Sequence, residues 1–281
     1  MATVGVVVVT YRSTATIESC LRSLRTATTS PMHVVVVDNA SDDDSAARAE
    51  VADPNAVVIR HATNEGYARG NNAGLKALPA ETDWVLFANP DTVWPAGSVD
   101  ELVRIAAADP RIGVLSPALT DDGGRLQPIV EDDYTLGRVL RGMVRLGAPF
   151  RPRVPNGDST VDWIHTAAAL VPISVVHETG GFDERFFLFA EDADFCRRVR
   201  AVGKRVVVTT DVLVQHVGGA SVDASTNADE AAALRTRAVA TYLEKHQGRG
   251  ARRVFGLVGA VVYGAARHRG QAREAWKAAV G

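Results

Sequence analysis

Two valine runs constrain this chain more than anything else in it: Val4 to Val9, interrupted only by Gly5, and His33 to Val37. Apolar runs without alternation need cover on both faces, as central parallel strands have. Between them Ile17, Cys20, Leu21 and Leu24 recur at helical spacing, with Thr14 or Thr16 as the cap and Pro31 closing the connection. Strand, helix and strand with short links make a βαβ unit. Its right-handed crossover puts Thr10-Tyr11 and Asp38 on one rim, where open α/β sheets bind ligands.

Further strands are expected at Val57 to Ile59, Trp84 to Ala88, Gly113 to Pro117, Trp163 to Pro172, Val206 to Val208 and Val212 to Gly219. Helices are expected at Ser98 to Ala108 and Leu136 to Leu146, with a helical turn at Ser174 to Thr179. The class is α/β. From Asp121 to Asp162 the pattern is irregular, Pro149 to Pro155 is loop-like, and a long loop in a compact domain reads as a lid or acceptor-side region. The make-up, 281 residues with 46% hydrophobic and 23% charged side chains, is that of a soluble globular protein. A net charge of −2 argues against nucleic acid as a partner. Cys20 and Cys196 form no disulfide framework or zinc spacing, the N-terminus enters a strand directly, and no apolar run reaches a bilayer span. A cytoplasmic protein is expected.

Chemistry gathers at the ends of these strands. Pro90 cannot continue a ladder, so Trp84 to Ala88 turns at Asn89-Pro90-Asp91-Thr92 and delivers Asp91 to the rim. A carboxylate there suits Mg²⁺ or Mn²⁺ against phosphates, although the same residues also suit a plain turn. Asp38 can accept from ribose hydroxyls or a base N–H, whereas Asp42, Asp43 and Asp44 read as caps of the next helix. In Asn64 to Gly74, three glycines permit close backbone approach, and Arg69 can meet a diphosphate or simply belong to an Asn-capped helix start. Phe186, Phe187 and Phe189 form a dry wall beside Glu191, Asp192 and Asp194. Carboxylates in such surroundings have raised pKa values and serve as bases, while Asp194 beside Arg197 and Arg198 reads as helix electrostatics. His216 at a strand end is either structural or a second metal ligand beside Asp91.

The tail differs in composition. Arg249, Arg252, Arg253, Arg267, Arg269, Arg273 and Lys277 stand against Glu274 alone, a net of +6, around the thirteen uncharged residues from Val254 to Ala266. Such a segment can lie in the interface of an anionic membrane or pack on the domain or on a second copy in a homodimer. The division expected is 1–240 and 241–281.

Six segments together resemble the family 2 inverting glycosyltransferases of the GT-A fold, and among them the bacterial rhamnosyltransferases. They are Val8 to Ser13, Val37 to Ser41, Asn64 to Asn72, Asn89-Pro90-Asp91, Gly180 to Phe187 and Glu191 to Phe195. The resemblance implies that Thr10, Tyr11 and Asp38 hold the nucleoside and that Asn64, Gly66 and Asn72 line a nucleotide-sugar pocket. Asp91 matches the last position of the family's metal motif, and Asn89 its first, where Asp is common. Asp192, preceded by Glu191, matches the catalytic base, and His165-Thr166-Ala167 stands where a Gly-Ala pair is usual. The implied partners are a nucleotide-diphosphate sugar, best matched by dTDP-rhamnose, and a glycan or polyprenyl-linked acceptor in cell-envelope polysaccharide synthesis. A nucleotidyltransferase would carry a glycine-rich loop where this chain has Thr10-Tyr11. A silent sugar-nucleotide-binding protein would not need Asp91, Asp192 and His216 together.

Overall fold

The computed structural model describes residues 2–144, 152–217, 228–266 and 268–280. The end of the helix expected to reach Leu146, Pro149 and Phe150 of the following loop, Gly218-Gly219 and Arg267 lie outside the described residues. The valine runs form β1 (Val4–Thr10) and β2 (Met32–Asp38), joined by α1 (Ile17–Ala27) and paired in parallel with Thr10 opposite Asp38. Next come α2 (Ser45–Ala52), β3 (Val57–Arg60), α3 (Tyr67–Lys76), β4 (Trp84–Ala88), β5 (Thr92–Val93), α4 (Ser98–Ala108) and β6 (Ile112–Thr120). The second half contains β7 (Val130–Glu131), α5 (Leu136–Val144), β8 (Ser159–Val161), β9 (Trp163–Ile164), β10 (Ala168–Pro172) and α6 (Ile173–Thr179). It continues with α7 (Glu191–Ala201), β11 (Arg205–His216), α8 (Ala228–Ala265) and α9 (Arg269–Val280).

The main sheet runs β3-β2-β1-β4-β10-β6-β11-β5, with β8 also on β11. Its first four strands are parallel, and β10 enters antiparallel between β4 and β6. The core is largely the valine, leucine and phenylalanine of these strands, with Val6, Val7, Val8, Leu86 and Phe87 fully buried. Helix α3 lies close on β1 because it presents Gly70 and Gly74 there. A Cβ on Gly74 would come within 2.4 Å of Val7. Two of the glycines expected to admit a ligand therefore admit a strand.

The strand expected at Trp163 to Pro172 is two: β9 pairs with β7 in a separate small sheet, while β10 pairs with β4. His165, Thr166 and Ala167 leave the ladder between them. The two strands expected from Val206 onward are one, β11, with a register shift between Thr209 and Leu213. Asp44, at the N-cap position of α2, makes no side-chain cap and Asp42 pairs with Arg12 at 2.6 Å, whereas Asp43 does serve the helix start, accepting from Ser45 N at 3.0 Å.

The boundary expected at 240/241 falls within α8, whose break is at Gly248 (φ 86°, ψ 169°). Up to that glycine the helix is bound to the catalytic half. Tyr242 donates to Asp133, Lys245 reaches Asp183 and Asp194 at 2.6 Å each, and Gln247 donates to Tyr134 O at 2.8 Å. Beyond it, α8 packs on α9, where Gly256 lets the Ala275 to Ala279 backbone approach.

Candidate active site

The carboxyl ends of β1, β2 and β4 open onto a cavity of about 450 Å³. Thr10, Tyr11, Asn39, Asn64, Gly66 and Asn89 line one side of it, and His165, Thr166, Phe187, Phe189, Glu191, Asp192 and His216 the other. Gly66 is required there on two counts: its φ is +87°, and a Cβ would meet Phe187 O at 2.2 Å. Asn64 Oδ1 accepts from Gly66 N at 3.0 Å and holds this turn. The Thr10 hydroxyl is fully buried and has no hydrogen-bond partner among the described residues. A buried orphan hydroxyl at a cavity wall is what a ligand group satisfies.

Three residues expected in this pocket point elsewhere. Asp38, 5% exposed, turns its carboxylate back to accept from Ser41 N and Oγ, and Asn39 beside it lines the cavity wall with its amide already engaged, donating to Gly66 O at 3.0 Å and paired with His61 Nδ1 at 3.0 Å. Asn72 bridges to Phe182, donating to its carbonyl at 2.8 Å and accepting from its N–H at 2.9 Å. Arg69 is exposed and lies 3.5 Å from Glu184. Phe186 likewise belongs to the core, at 1% exposure, leaving Phe187 and Phe189 as the wall.

One corner of the cavity is built by β5 pairing with β11, which sets His216 opposite Thr92. His216 Nε2 then lies 3.4 Å from Asp91 Oδ1, an atom that is buried and has no hydrogen-bond partner among the described residues. Gln127 orients the ring. Its Nε2 donates to His216 O at 2.7 Å, which fixes the amide, so its Oε1 accepts from His216 Nδ1 at 2.8 Å. In the neutral imidazole the Nε2 lone pair therefore faces the orphan carboxylate oxygen. Nitrogen and oxygen lone pairs facing each other suit a small cation between them. Among the described residues no group of three His, Cys, Asp or Glu side chains gathers to hold a metal, so these two ligands need further oxygens from a substrate.

The other corner is the first turn of α7. Phe189 and Ala190 take left-handed backbone conformations (φ 70° and 61°), costly for such residues and typical of a loop held by its surroundings to present functional groups. Asp192 accepts from the Thr166 hydroxyl, and Tyr67 Oη donates to Thr166 O at 3.1 Å. Burial raises the pKa of Asp192, against the opposing Thr166 hydrogen bond and the field of His165. Glu191, 3% exposed, is held well above the ordinary carboxylate range, first by burial and then by the charge of Asp192. Like-charged neighbours in a dry site raise each other's pKa, and both carboxyls here are shifted upward, Glu191 the more strongly. Burial alone would lower the pKa of His165. The hydrogen bond from its Nε2 to Glu131 Oε1 at 3.1 Å and the field of Asp192 outweigh that, and the net shift is upward.

Sequence reasoning missed the parts played by Thr166, Gln127, Glu131, Asn39 and by Glu230 and Leu234 of α8, which also line the cavity. Thr166 and Asn39 fall within segments the sequence singles out, His165-Thr166-Ala167 and Val37 to Ser41. Gln127 and Glu131 carry no local signal, because contacts across 89 and 34 positions of chain bring them in.

Residues 5–149 match the family described as Glycosyl transferase family 2, and residues 84–241 match Glycosyl transferase family group 2. The chain is 32% identical over 266 residues to the N-acetylglucosaminyl-diphospho-decaprenol L-rhamnosyltransferase of Mycobacterium tuberculosis, covering 86% of this chain and 85% of that protein. It is 26% identical over 159 residues to rhamnosyltransferase WbbL of Escherichia coli K12, covering 50% of this chain and 56% of that one. A mannosyltransferase from Pyrobaculum calidifontis, solved with GDP-Man and Mn2+, superposes with a TM-score of 0.59 at 17% identity, over 98% of this chain and 73% of that one. TarS 1-349 of S. aureus superposes with a TM-score of 0.56 at 20% identity, over 96% and 74%. With the GT-A architecture thus matched along nearly its whole length and the family's sequence pattern across more than half, this chain belongs to glycosyl transferase family 2.

Proposed function

We propose that the protein is an inverting glycosyltransferase that moves L-rhamnose from dTDP-rhamnose to a hydroxyl of a polyprenyl-diphosphate-linked saccharide. The observation that carries the reaction type is one cavity with Asp192 on its α7 side and His216 on its β5–β11 side, the latter backed at 3.4 Å by the buried Asp91. Asp192 takes the proton of the acceptor hydroxyl as its oxygen bonds to the anomeric carbon, and the bond from that carbon to the diphosphate oxygen breaks on the opposite face. The upward shift of Glu191, from burial and the charge of Asp192, disfavours a second negative charge beside the departing diphosphate. Asp91 and His216 would hold Mg²⁺ or Mn²⁺, which when bound neutralises charge developing on the leaving nucleoside diphosphate. The Thr10 hydroxyl offers a polar group to the nucleotide sugar, and Asn39 and Asn64 hold the Gly66 turn in the cavity wall beside it. The choice of donor and acceptor rests on the M. tuberculosis relative, whose name specifies L-rhamnose and a diphospho-decaprenol N-acetylglucosamine. An acceptor of that kind keeps its hydroxyl near a membrane, so we place the enzyme at the cytoplasmic face.

The test is incubation with dTDP-rhamnose and polyprenyl-diphosphate N-acetylglucosamine, read by mass spectrometry, with and without excess EDTA. A single deoxyhexose addition that chelation abolishes and Mg²⁺ or Mn²⁺ restores is expected. No transfer from any nucleotide sugar to the lipid-linked saccharide would overturn the reading, and full turnover in EDTA would remove the metal from it.

A further inference from the structure

Helix α8 reaches the active-site cavity with Glu230 and Leu234 and continues past it. The next residues on the same helical face, three and seven positions beyond Leu234, are Arg237 and Thr241. They open onto a second cleft, of about 430 Å³, closed on its far side by α9. Its walls are Arg237, Thr241, Arg252, Glu274 and Lys277, over a floor of Ala240 and Ala278. Arg252 is paired with Glu244 at 2.6 Å and Lys277 with Glu274 at 2.8 Å. The Arg237 guanidinium has no ion pair or hydrogen bond to another described residue. With Arg252 and Lys277 balanced by their carboxylates, Arg237 is the cation of the cleft without a partner among the described residues, and a guanidinium beside a hydroxyl is suited to phosphate oxygens, which Arg can meet in a bidentate fork.

At 1.5 Å of rise per residue, Leu234 to Thr241 spans about 10 Å along the helix. The cleft thus reaches about two turns of α8 beyond the cavity wall at Leu234, on the same helix face. Beyond the cleft, Val254, Leu257 and Trp276 are exposed at 42%, 54% and 56%, an apolar surface on the same two helices. Sugar, diphosphate and hydrocarbon thus meet in turn a base, a cationic cleft and an apolar surface. We infer that the cleft between α8 and α9 binds the diphosphate of the lipid-linked acceptor, with Arg237 as its principal contact. This inference rests on the proposed acceptor class, and its test separates the two.

The probe is a short-chain prenyl diphosphate, titrated calorimetrically into the full-length protein with the donor cavity saturated by nucleoside diphosphate. The unsubstituted protein is expected to bind it, and Arg237→Ala to weaken binding at least tenfold without changing affinity for the nucleoside diphosphate. Arg237→Lys should recover part of the loss, and inorganic pyrophosphate should compete, showing that the diphosphate and not the prenyl chain is recognised. In turnover, Arg237→Ala should raise KM for a polyprenyl-diphosphate saccharide at unchanged kcat and leave an alkyl glycoside acceptor unaffected. No binding once the nucleotide site is filled, binding indifferent to Arg237→Ala, or equal KM changes for both acceptors would overturn the inference. Arg237-dependent binding without transfer to any lipid-linked saccharide would leave the anion site standing and sink the acceptor assignment instead.

Discussion

At Asp192 the surroundings of an ordinary carboxylate change how readily it takes a proton. Burial raises its pKa, the Thr166 hydroxyl stabilises its charged form, and Glu191 beside it is raised well above the ordinary carboxylate range by burial and by the charge of Asp192. A base works only when deprotonated, so a raised pKa moves the acid limb of the rate profile upward. The kcat of the enzyme is expected to fall on acidification at a pH above about 4, where an unperturbed Asp titrates. Asp192→Asn should lower kcat by about 10² to 10⁴ and abolish that limb. Nucleoside diphosphate binding, followed by calorimetry, should be unchanged. Loss of nucleotide binding together with turnover would make Asp192 a binding residue and place the base elsewhere.

Between elements, the contact that matters most for the site is α8 against α7. Asp194 faces away from the cavity, is fully buried, and accepts from Arg198 at 2.8 Å on its own helix and from Lys245 and His246 of α8 at 2.6 and 2.8 Å. Arg197, the other expected partner, instead joins Arg200 on Asp133. Burial would raise the pKa of Asp194, but these donors outweigh it and the net shift is downward. The folded state therefore binds this proton more weakly than the unfolded chain. The resulting stability is full above about pH 4 and disappears as the pH falls through the lowered folded value. Asp194→Asn leaves buried cations uncompensated and should cost about 3–5 kcal/mol in chemical denaturation near neutral pH. A change below about 1 kcal/mol would show that α8 is held mainly by the packing of Tyr242 and Leu243.

For the molecule as a whole, the tail carries the expectation about where catalysis happens. No helix among the described residues is long and apolar enough to cross a membrane. Yet Val254, Leu257 and Val261, at i, i+3 and i+7, share one face of α8 and are exposed at 42%, 54% and 71%. Arg249 and Arg253 lie beside them in the basic tail. Peripheral attachment through this face should be salt-sensitive, since each basic residue near an anionic surface contributes only about 1 kcal/mol. Leu257→Glu combined with Val261→Glu is expected to reduce co-sedimentation with anionic liposomes severalfold while leaving transfer to a soluble acceptor intact. Equal sedimentation of the two proteins would mean that this face does not meet lipid.

The parts of this protein legible in its sequence are those whose physics is local. Valine runs can only be covered strands, a short link after each fixes the crossover, and Pro90 ends a ladder wherever it stands; from these follow the rim and the presence of Thr10, Asn89 and Asp91 on it. What a side chain does on that rim depends on neighbours far along the chain. Asp38 and Asn39 are adjacent, but a turn at Ser41 takes the carboxylate of the first while Gly66 and His61 take the amide of the second. Thr166 meets Asp192 only because the chain leaves the ladder between β9 and β10, and Gln127 aims His216 only because β11 runs beside β6, to whose Leu119 Gln127 bonds back. Gly70 and Gly74 are the same residue type as Gly66, yet two serve helix-to-strand packing and one the cavity. Hydrogen bonds and burial are properties of three-dimensional proximity, and proximity across a hundred residues is decided by the sheet.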